Sequence, residues 1–311
     1  MFHNQNYQTM QVKPSCDSNY KITVGIYLHY GYHLEMRVRM YQITIENFDI
    51  RKICYSGQCF RMKEKEDNTF EIIAYGHYLE VYQTENVLTM SCTKTEFHSV
   101  WKTYLGLEDD YETITGLVNE DDRYMKTAMS FGFGIRILKQ ELWETIVSFL
   151  ISQQNNIPRI KKSIQMLCEQ YGEKKTNLKG EVFYTFPKPE ALHQLTDREL
   201  KECNLGYRSK YILKTAQAIV DGTFDLELLP ELSYEDARKE LMKLYGVGIK
   251  VSECICLYAL HHLNAFPIDT HIQKVLDMNY PTGFPFDKYQ GYSGALQQYA
   301  FYYDLYKAKI S

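Results

Sequence analysis

The hydrophobic pattern of this chain changes its period part-way along, and that change limits the possible folds more than any other feature. From residue 47 to about residue 93, apolar and polar residues alternate in short runs, as strands with one buried face require. From about residue 94 onward, apolar residues recur at helical spacing, for example at Leu142, Ile146, Phe149 and Leu150. We therefore predict an α+β fold, with an antiparallel β-sheet domain followed by an all-α domain.

A chain of 311 residues is long for one compact domain, and two domains are the usual outcome at this length. We place the sheet domain at residues 41–135 and the helical domain at residues 136–311. Residues 1–40 form an N-terminal extension to which the sequence assigns no role, although residues 21–30 have the composition of a strand.

Composition argues against several classes of protein. The first ten residues lack the charged start and apolar run of a secretory signal, and no apolar stretch approaches a membrane span. The eight cysteines are scattered, so we expect reduced thiols in an intracellular protein. Cys254 and Cys256 lie close together, but neither a second Cys or His pair nor a four-cysteine cluster pattern follows. We expect neither a metal nor any other cofactor.

The charge is distributed unevenly. A formal net charge of −4 argues mildly against a nucleic-acid partner, because basic domains are the usual footprint of phosphate binding. Residues 157–179, however, contain six Lys or Arg against two Glu, and residues 201–214 contain four against one. A basic binding face and ordinary solvated helix surfaces explain these clusters equally well.

Residues 237–276 contain two helical segments joined by a glycine-rich turn. An amphipathic segment ends near Leu244, Gly246 and Gly248 form the turn, and an apolar segment follows. Glycines permit tight backbone geometry and close approach of another molecule, and amides at the start of the second helix can bind an anion such as a DNA phosphate. On the glycines alone, an ordinary turn between packed helices fits equally well.

Two ionisable side chains make this region chemically specific. Lys250 stands in the first turn of the second helix, where the positive end of the helix dipole favours the neutral, nucleophilic amine. Asp269 lies just before another apolar helix that begins at Ile272, and taken alone it fits a helix N-cap. Together, an amine and a carboxylate suit attack on a sugar C1′, where developing positive charge needs a nearby anion.

The hairpin with its downstream proline and aspartate resembles the motif of the helix-hairpin-helix superfamily of DNA glycosylases, and Lys250 resembles the lysine of its lyase-competent branch. Residues 56–61, 154–159, 205–208 and the hairpin block through His271 resemble the 8-oxoguanine DNA glycosylase family more closely. The resemblance spans roughly residues 47–304. It implies a TBP-like antiparallel sheet followed by a helix-hairpin-helix glycosylase domain, with Lys250 and Asp269 as the catalytic residues.

The same resemblance implies a pocket for the damaged base. Gly57 resembles the residue whose carbonyl senses the proton on N7 of the oxidised purine. Gln297 and Phe301 lie four residues apart, so they share one helical face, and they resemble the pair that reads the base edge and stacks on the base. Cys254 resembles the residue on the opposite side of the base. Without the resemblance, core packing explains Phe301 and Cys254 better.

Further residues resemble the family's duplex-opening elements. Gln154 and Asn155 resemble the loop that enters the gap left by a flipped base, and Tyr207 has the flat shape of a wedge. Arg159 and Arg208 present fork-like donors that suit the unpaired cytosine opposite the lesion. This chain has Gln at position 154, where the animal members of the family have Asn. Gln is one methylene longer, and this difference affects how strictly cytosine is preferred opposite the lesion. A surface turn is the simpler explanation for residues 207 and 208 alone.

The predicted partner is duplex DNA with 8-oxoguanine opposite cytosine, bound through Gly246 and Gly248. His271 resembles the residue that supports a phosphate beside the flipped nucleotide, although a lone His after a helix cap is commonly a surface residue. We expect an intracellular, DNA-associated and monomeric protein with glycosylase and AP lyase activities. Two alternatives remain open: a glycosylase of the same superfamily for another damaged base, and a non-catalytic DNA-binding module.

Overall fold

The computed structural model describes residues 39–307 and, for the backbone, residues 22–26. A six-stranded antiparallel sheet comes first, in the order β1-β2-β6-β5-β4-β3. Its strands are β1 (Ile22–Ile26), β2 (Arg39–Thr44), β3 (Met62–Glu64), β4 (Phe70–Ala74), β5 (His77–Thr84) and β6 (Val87–Met90). The predicted order of a sheet before helices is confirmed, and β1 falls inside the segment of strand composition at residues 21–30.

Local sequence explains the sheet. In β4, Phe70, Ile72 and Ala74 are buried and the residues between them are less so, which is the predicted alternation. Tyr75 and Gly76 form the two-residue turn to β5, and both have positive φ, 50° and 72°, as the tight hairpin turns of antiparallel strands require.

One segment of the predicted sheet is a helix. Residues 50–55 form α1 (Ile50–Tyr55), and its N-cap Asp49 accepts a hydrogen bond from the backbone N of Lys52 at 2.9 Å. Ile50, Ile53 and Cys54 are its buried residues. The prediction was wrong here because a helix of six residues is too short for a helical period to stand out against alternation.

The second part of the chain is predominantly helical, as predicted. Its helices begin with a run at residues 94–104, made of α2 (Lys94–Glu96), a π-helical turn (Phe97–Trp101) and α3 (Lys102–Tyr104). The others are α4 (Tyr111–Gly116), α5 (Arg123–Phe131), α6 (Leu142–Ser152), α7 (Ile157–Tyr171), α8 (Pro189–Leu192), α9 (Asp197–Lys201), α10 (Ser209–Val220), α11 (Tyr234–Leu241), α12 (Ile249–Tyr258), α13 (Thr270–Asn279) and α14 (Ser293–Tyr306). A small hairpin of β7 (Lys174–Thr176) and β8 (Val182–Tyr184) interrupts them.

Helices α9 and α11 begin directly after capping residues, Thr196 and Ser233. Thr196 forms a reciprocal capping box with Glu199 at the start of α9, and the Ser233 hydroxyl accepts a hydrogen bond from Asp236 N at the start of α11. Each cap satisfies an amide that the first turn of a helix leaves unpaired.

The buried apolar residues form two cores. One lies under the sheet and contains Tyr41, Trp101 and Leu138 among others. The other fills the helical part and includes Ile114 and Met125 of α4 and α5. The domain boundary at residues 135/136 stays a prediction.

Seven of the eight cysteines lie among the described residues, where all seven are buried and free, while Cys16 lies outside them. Reduced core thiols are therefore confirmed for those seven. Within the described part of the chain, no three or more His, Cys, Asp or Glu side chains are grouped so as to hold a metal ion. Among the same residues, no helix combines the length and apolar character needed to cross a bilayer.

Candidate active site

Helix α12 presents Lys250 in its first turn, directly after the N-cap residue Gly248 and Ile249. The Lys250 side chain is partly buried, and its Nζ lies 5.3 Å from the centre of the Phe149 ring on α6. An aromatic face attracts a cation and shields it from water. The amine is therefore held against an aromatic wall.

Cys254 follows Lys250 by one helical turn and is 2% exposed. Burial raises the pKa of the Cys254 thiol. Lys250, which is the hydrogen-bond partner of this thiol, lowers its pKa, and the charge of Asp269 raises it. One turn beyond, Tyr258 stacks on Phe149 with ring centres 5.4 Å apart, and its pKa is raised by burial and then by Cys254 and Asp269. Lys250, Cys254 and Asp269 thus form one electrostatic cluster with a neutral thiol at its centre.

Asp269 is the N-cap residue of α13. Its Oδ1 accepts a hydrogen bond from the backbone N of Ile272 at 2.9 Å, so the helix cap expected for this residue is confirmed. The cap bond fixes the orientation of the carboxylate. A structural and a chemical role are therefore compatible in this residue.

The residues immediately before Asp269 are tied to two neighbouring helices. The backbone N of Phe266 donates a hydrogen bond to the carboxylate of Glu253 on α12 at 2.9 Å. The backbone O of Pro267 accepts one from Gln297 Nε2 on α14, also at 2.9 Å. We call residues 265–269 the strap, and the position of Asp269 at its end depends on these two bonds.

Gln297 and Phe301 lie one turn apart on α14, as predicted. Gln297 is 3% exposed, and its Oε1 is buried without a hydrogen-bond partner among the described residues. A buried acceptor without a donor is unfavourable, so this oxygen can still accept a hydrogen bond. The Phe301 ring meets the His271 ring edge-on at 5.6 Å, and His271 Nδ1 lies 2.9 Å from Asp304 Oδ2.

Gly57 follows α1 in the sheet region but lies against α14. Its φ is +79°, and a Cβ at this position would be 2.9 Å from Cε1 of Phe301. The same helix secures the preceding residue, because Gln298 Nε2 donates a hydrogen bond to the backbone O of Ser56 at 2.7 Å. The structure thus brings Gly57 and Phe301 together across more than two hundred residues of sequence.

The glycine turn, residues 244–250, is hereafter the hairpin. Gly246 has φ +93°, and a Cβ there would lie 2.5 Å from the ring of Tyr211, so a side chain fits neither the conformation nor the space. Gly248 is exposed, and no side chain of the described residues caps α12. The first amides of α12 are consequently open at the positive end of the helix, which is the usual geometry of an anion site.

A second loop, residues 153–156, connects α6 to α7 and is hereafter the gap loop. Gln154 is exposed and has φ +47°, whereas Asn155 turns inward and its Nδ2 donates to the backbone O of Ile151 at 3.1 Å. Asn156 caps α7 by accepting from the backbone N of Arg159 at 3.0 Å, and the Arg159 side chain is exposed. Gln154 and Arg159 therefore present their side chains to solvent.

The turn at residues 205–208 is hereafter the wedge. Tyr207 is 45% exposed, whereas Arg208 is only 6% exposed. The Arg208 guanidinium donates from Nε to the backbone O of Gln153 at 2.8 Å and from Nη2 to that of Gln154 at 3.0 Å. Arg208 thus holds the gap loop in this structure, and its contact with an opposite cytosine stays a prediction.

Some basic side chains of residues 157–179 contact the sheet region, and others face solvent. Lys161 Nζ donates to the backbone O of Met62 at 2.8 Å, and Lys179 forms an ion pair with Glu80 at 2.5 Å. Part of the positive charge in this segment therefore joins the helical region to the sheet. From the sequence alone, a binding face and a solvated helix surface had explained that charge equally well.

Comparison with known proteins places these features in a family. The model for the 8-oxoguanine DNA glycosylase N-terminal domain matches residues 40–146, and that for the HhH-GPD superfamily base excision DNA repair proteins matches residues 147–283. The solved structure of MBOgg1 with a low affinity DNA ligand is 34% identical, covers 93% of this chain and 99% of its own, and has a TM-score of 0.84. This chain belongs to the 8-oxoguanine DNA glycosylase family.

Two further known proteins are similar to this chain. The Clostridium acetobutylicum 8-oxoguanine glycosylase/lyase, solved with double-stranded DNA containing cytosine opposite 8-oxoguanine, is 33% identical over 88% of this chain and 96% of its own, with a TM-score of 0.80. The Saccharomyces cerevisiae N-glycosylase/DNA lyase is 39% identical over 158 residues, which are 47% of this chain and 42% of the yeast protein. The match thus spans less than half the length of that curated relative.

The residues predicted from the family resemblance fall into two adjoining groups. One group lies on α12, α13, α14 and the segment after α1: Gly57, Lys250, Cys254, Asp269, His271, Gln297 and Phe301. The other comprises the gap loop with Arg159, the wedge and the hairpin: Gln154, Asn155, Arg159, Tyr207, Arg208, Gly246 and Gly248. They meet at the start of α12, where Gly248 and Lys250 are two residues apart. Their individual roles stay predictions.

Sequence reasoning missed four residues that hold this 8-oxoguanine DNA glycosylase site together. They are the aromatic wall Phe149, the loop-linking Gln153, the hairpin-packing Tyr211 and the strap-anchoring Glu253. The one signal available in the sequence was the place of Glu253 in an apolar helix, because a buried acidic residue needs a partner. The other three look like ordinary helix residues in the sequence.

A separate cavity of about 510 Å³ lies between residues 119–124 and residues 278–289. None of the predicted site residues lines it. Its Asp122 carboxylate accepts hydrogen bonds from Tyr280 and Tyr289 at 2.9 and 2.8 Å, so that carboxylate is already used within the fold.

Proposed function

We propose that this chain is a bifunctional DNA glycosylase and AP lyase that removes 8-oxoguanine from duplex DNA. The observation that carries the proposal is the position of Lys250, held by Phe149 and Cys254 at the open start of α12, with the Asp269 carboxylate close enough to act on the same Cys254 thiol. An amine nucleophile beside a carboxylate, at an anion-binding helix start, suits chemistry on a DNA sugar.

The chemistry follows from these two groups. Lys250 Nζ attacks C1′ as the glycosidic bond breaks, and the base leaves with the bonding electrons and takes up a proton. The Asp269 carboxylate stabilises the positive charge on the sugar. The amine loses its proton and the sugar ring opens to a Schiff base. Loss of a C2′ proton then breaks the C3′–O bond, so the 3′ phosphate departs and the strand is nicked.

Recognition of the base rests on groups around Phe301. The unpaired Oε1 of Gln297 accepts a hydrogen bond from a base-edge N–H, and the Gly57 carbonyl accepts the N7 proton that 8-oxoguanine carries and guanine lacks. Phe301 supplies a stacking surface. The Clostridium acetobutylicum relative was solved with cytosine opposite the lesion, which supports cytosine as the opposite base here. All these residues belong to one chain, so a monomer suffices.

Borohydride trapping on a duplex with 8-oxoguanine opposite cytosine tests the proposal. The wild type is expected to form a covalent crosslink, because borohydride reduces the Schiff base, and Lys250→Gln is expected to form none. Lys243→Gln is the matched control, because this lysine near the hairpin is exposed and, among the described residues, pairs only with the nearby Glu240. Crosslinking by Lys250→Gln, or none by the wild type, would overturn the assignment.

A further inference from the structure

Gln153 bonds the gap loop to both other DNA-facing loops. Its side-chain Nε2 donates to the backbone O of Gly246 in the hairpin at 3.0 Å. Its own backbone O accepts from Arg208 Nε in the wedge at 2.8 Å. The residue therefore touches the phosphate-binding turn with its side chain and the wedge with its main chain.

The next residue adopts a conformation that depends on such bonds. Gln154 has φ +47°, a left-handed region that residues with a Cβ occupy only where their surroundings hold them. Arg208 Nη2 supports it by donating to the backbone O of Gln154 at 3.0 Å. The direction of the exposed Gln154 side chain is thus set by contacts made at residues 153 and 208.

Aromatic packing joins the hairpin and the wedge a second time. The Tyr211 ring fills the space beside Gly246, and it meets the ring of Tyr207 at 5.6 Å and that of Tyr245 at 5.3 Å. With the bonds of Gln153, these contacts make the gap loop, the wedge and the hairpin one connected unit.

We propose that Gln153 is a positioning residue that couples phosphate binding at the hairpin to opening of the base pair by Gln154 and Tyr207. The inference rests on the proposed function. If the hairpin grips a phosphate of the damaged strand, the bond to Gly246 sets where Gln154 enters the helix relative to that phosphate. This placement matters when a paired base must be extruded, and much less when no base pair has to be broken.

Gln153→Leu and Gln153→Glu test the coupling in the full chain. Leu removes the donor, and Glu keeps the shape but places an acceptor against the Gly246 carbonyl. With 8-oxoguanine opposite cytosine, single-turnover base excision is expected to fall about tenfold, the change a single hydrogen bond supports. Borohydride trapping on a preformed abasic site should stay within about threefold of the wild type. Fluorescence of 2-aminopurine beside the lesion should show reduced unstacking.

Gln165→Leu is the matched control, because the side chain of this exposed glutamine of α7 bonds, within the described part of the chain, only to Glu169 one turn away. It should match the wild type on both substrates. Equal losses on both substrates for the Gln153 variants, or no loss on either, would overturn the coupling. A wild type that traps on the abasic duplex but releases no 8-oxoguanine would instead remove the proposed lesion and leave the coupling without its basis.

Discussion

At the residue scale, the backbone conformation and the neighbouring groups determine what a side chain in this site can contact. Gly57 has a left-handed backbone, and the Phe301 ring occupies the space that a Cβ would need. Gln297 is buried with one amide end bonded to Pro267 and the other unpaired. A glutamine held in this way has a fixed acceptor, since rotating the amide would place its NH₂ group where the unpaired oxygen now lies.

We predict that Gly57→Ala impairs base recognition more than it impairs folding. The added methyl group meets a left-handed backbone and the Phe301 ring, so stability should fall by about 1–2 kcal/mol. Excision of 8-oxoguanine should fall at least tenfold, because the ring must move out of place. Single-turnover excision and thermal unfolding measure the two effects.

Gly180→Ala separates the two causes. Gly180 has the same φ of +79°, but no atom of the described residues lies within 4 Å of its added Cβ. The variant should lose a similar amount of stability and keep its excision rate. Equal rate losses in the two variants would show that backbone strain, and not the pocket, explains the effect of Gly57→Ala.

At the scale of elements, α12 organises the candidate site by using two of its faces. Lys250 and Cys254 lie on the face towards Phe149. Glu253, which is 4% exposed, accepts hydrogen bonds from Tyr234 of α11 at 2.7 Å and from Phe266 of the strap. One helix therefore fixes the amine directly and the carboxylate of Asp269 through the strap.

Glu253→Gln should slow Schiff-base formation on an abasic duplex by roughly thirtyfold, because the amide keeps one acceptor oxygen for the three donors Phe266, Tyr234 and Arg238. Its NH₂ group then faces one of these donors, so the carboxylate's contacts cannot all form and the strap shifts. The dissociation constant for the same duplex should stay within about threefold, since the hairpin is intact. Single-turnover trapping and fluorescence anisotropy measure the two quantities.

Glu235→Gln is the control for Glu253→Gln. Glu235 is exposed and pairs with Arg238, which also bonds to Glu253. Among the described residues, its side chain makes no hydrogen bond to the strap, whereas that of Glu253 accepts one from Phe266. Its trapping rate should equal that of the wild type. A Glu253→Gln variant whose binding weakens as much as its rate would indicate general unfolding of the site.

At the scale of the whole molecule, polar side chains join the sheet to the helices behind the site. Gln58 is fully buried; its Oε1 accepts from Leu138 N at 2.8 Å, and its backbone O accepts from Gln140 Nε2 at 2.7 Å. Nearby, Arg61 of the sheet region pairs with Glu144 of α6 at 3.2 Å. These contacts hold the Gly57 segment against α6 and the chain that leads into it.

The buried Glu144 makes stability depend on pH. Burial raises the pKa of Glu144 and the neighbouring Arg61 lowers it by less, so the resulting pKa is about 7. The folded protein thus binds this proton more tightly than the unfolded chain, so the stabilisation is present below the ordinary pKa of a glutamate and is lost as pH rises towards 7. Between pH 5 and 8, the melting temperature of the wild type should fall by about 3–6 °C relative to that of Glu144→Gln. Parallel pH profiles would contradict this assignment.

Several features of the fold could be predicted because neighbouring residues determine them. The caps at Thr196, Ser233 and Asp269 and the strand alternation at β4 are encoded within a few positions. Helix α1 was missed because six residues carry too little periodic signal. The orientation of Arg208 was also missed, since nothing in residues 205–208 indicates that the guanidinium finds two carbonyl oxygens in the gap loop.

The sequence by itself determined that a sheet precedes helices, that a glycine hairpin leads into a helix, and that Lys250 stands in the first turn of that helix. Those properties follow from local backbone preferences and short-range periodicity. The tertiary structure alone decided that Gly57 meets Phe301, that Gln153 bonds to Gly246 and that Glu253 anchors the strap. Such contacts join residues far apart in the chain, so they depend on how the two cores pack together, which no local preference encodes.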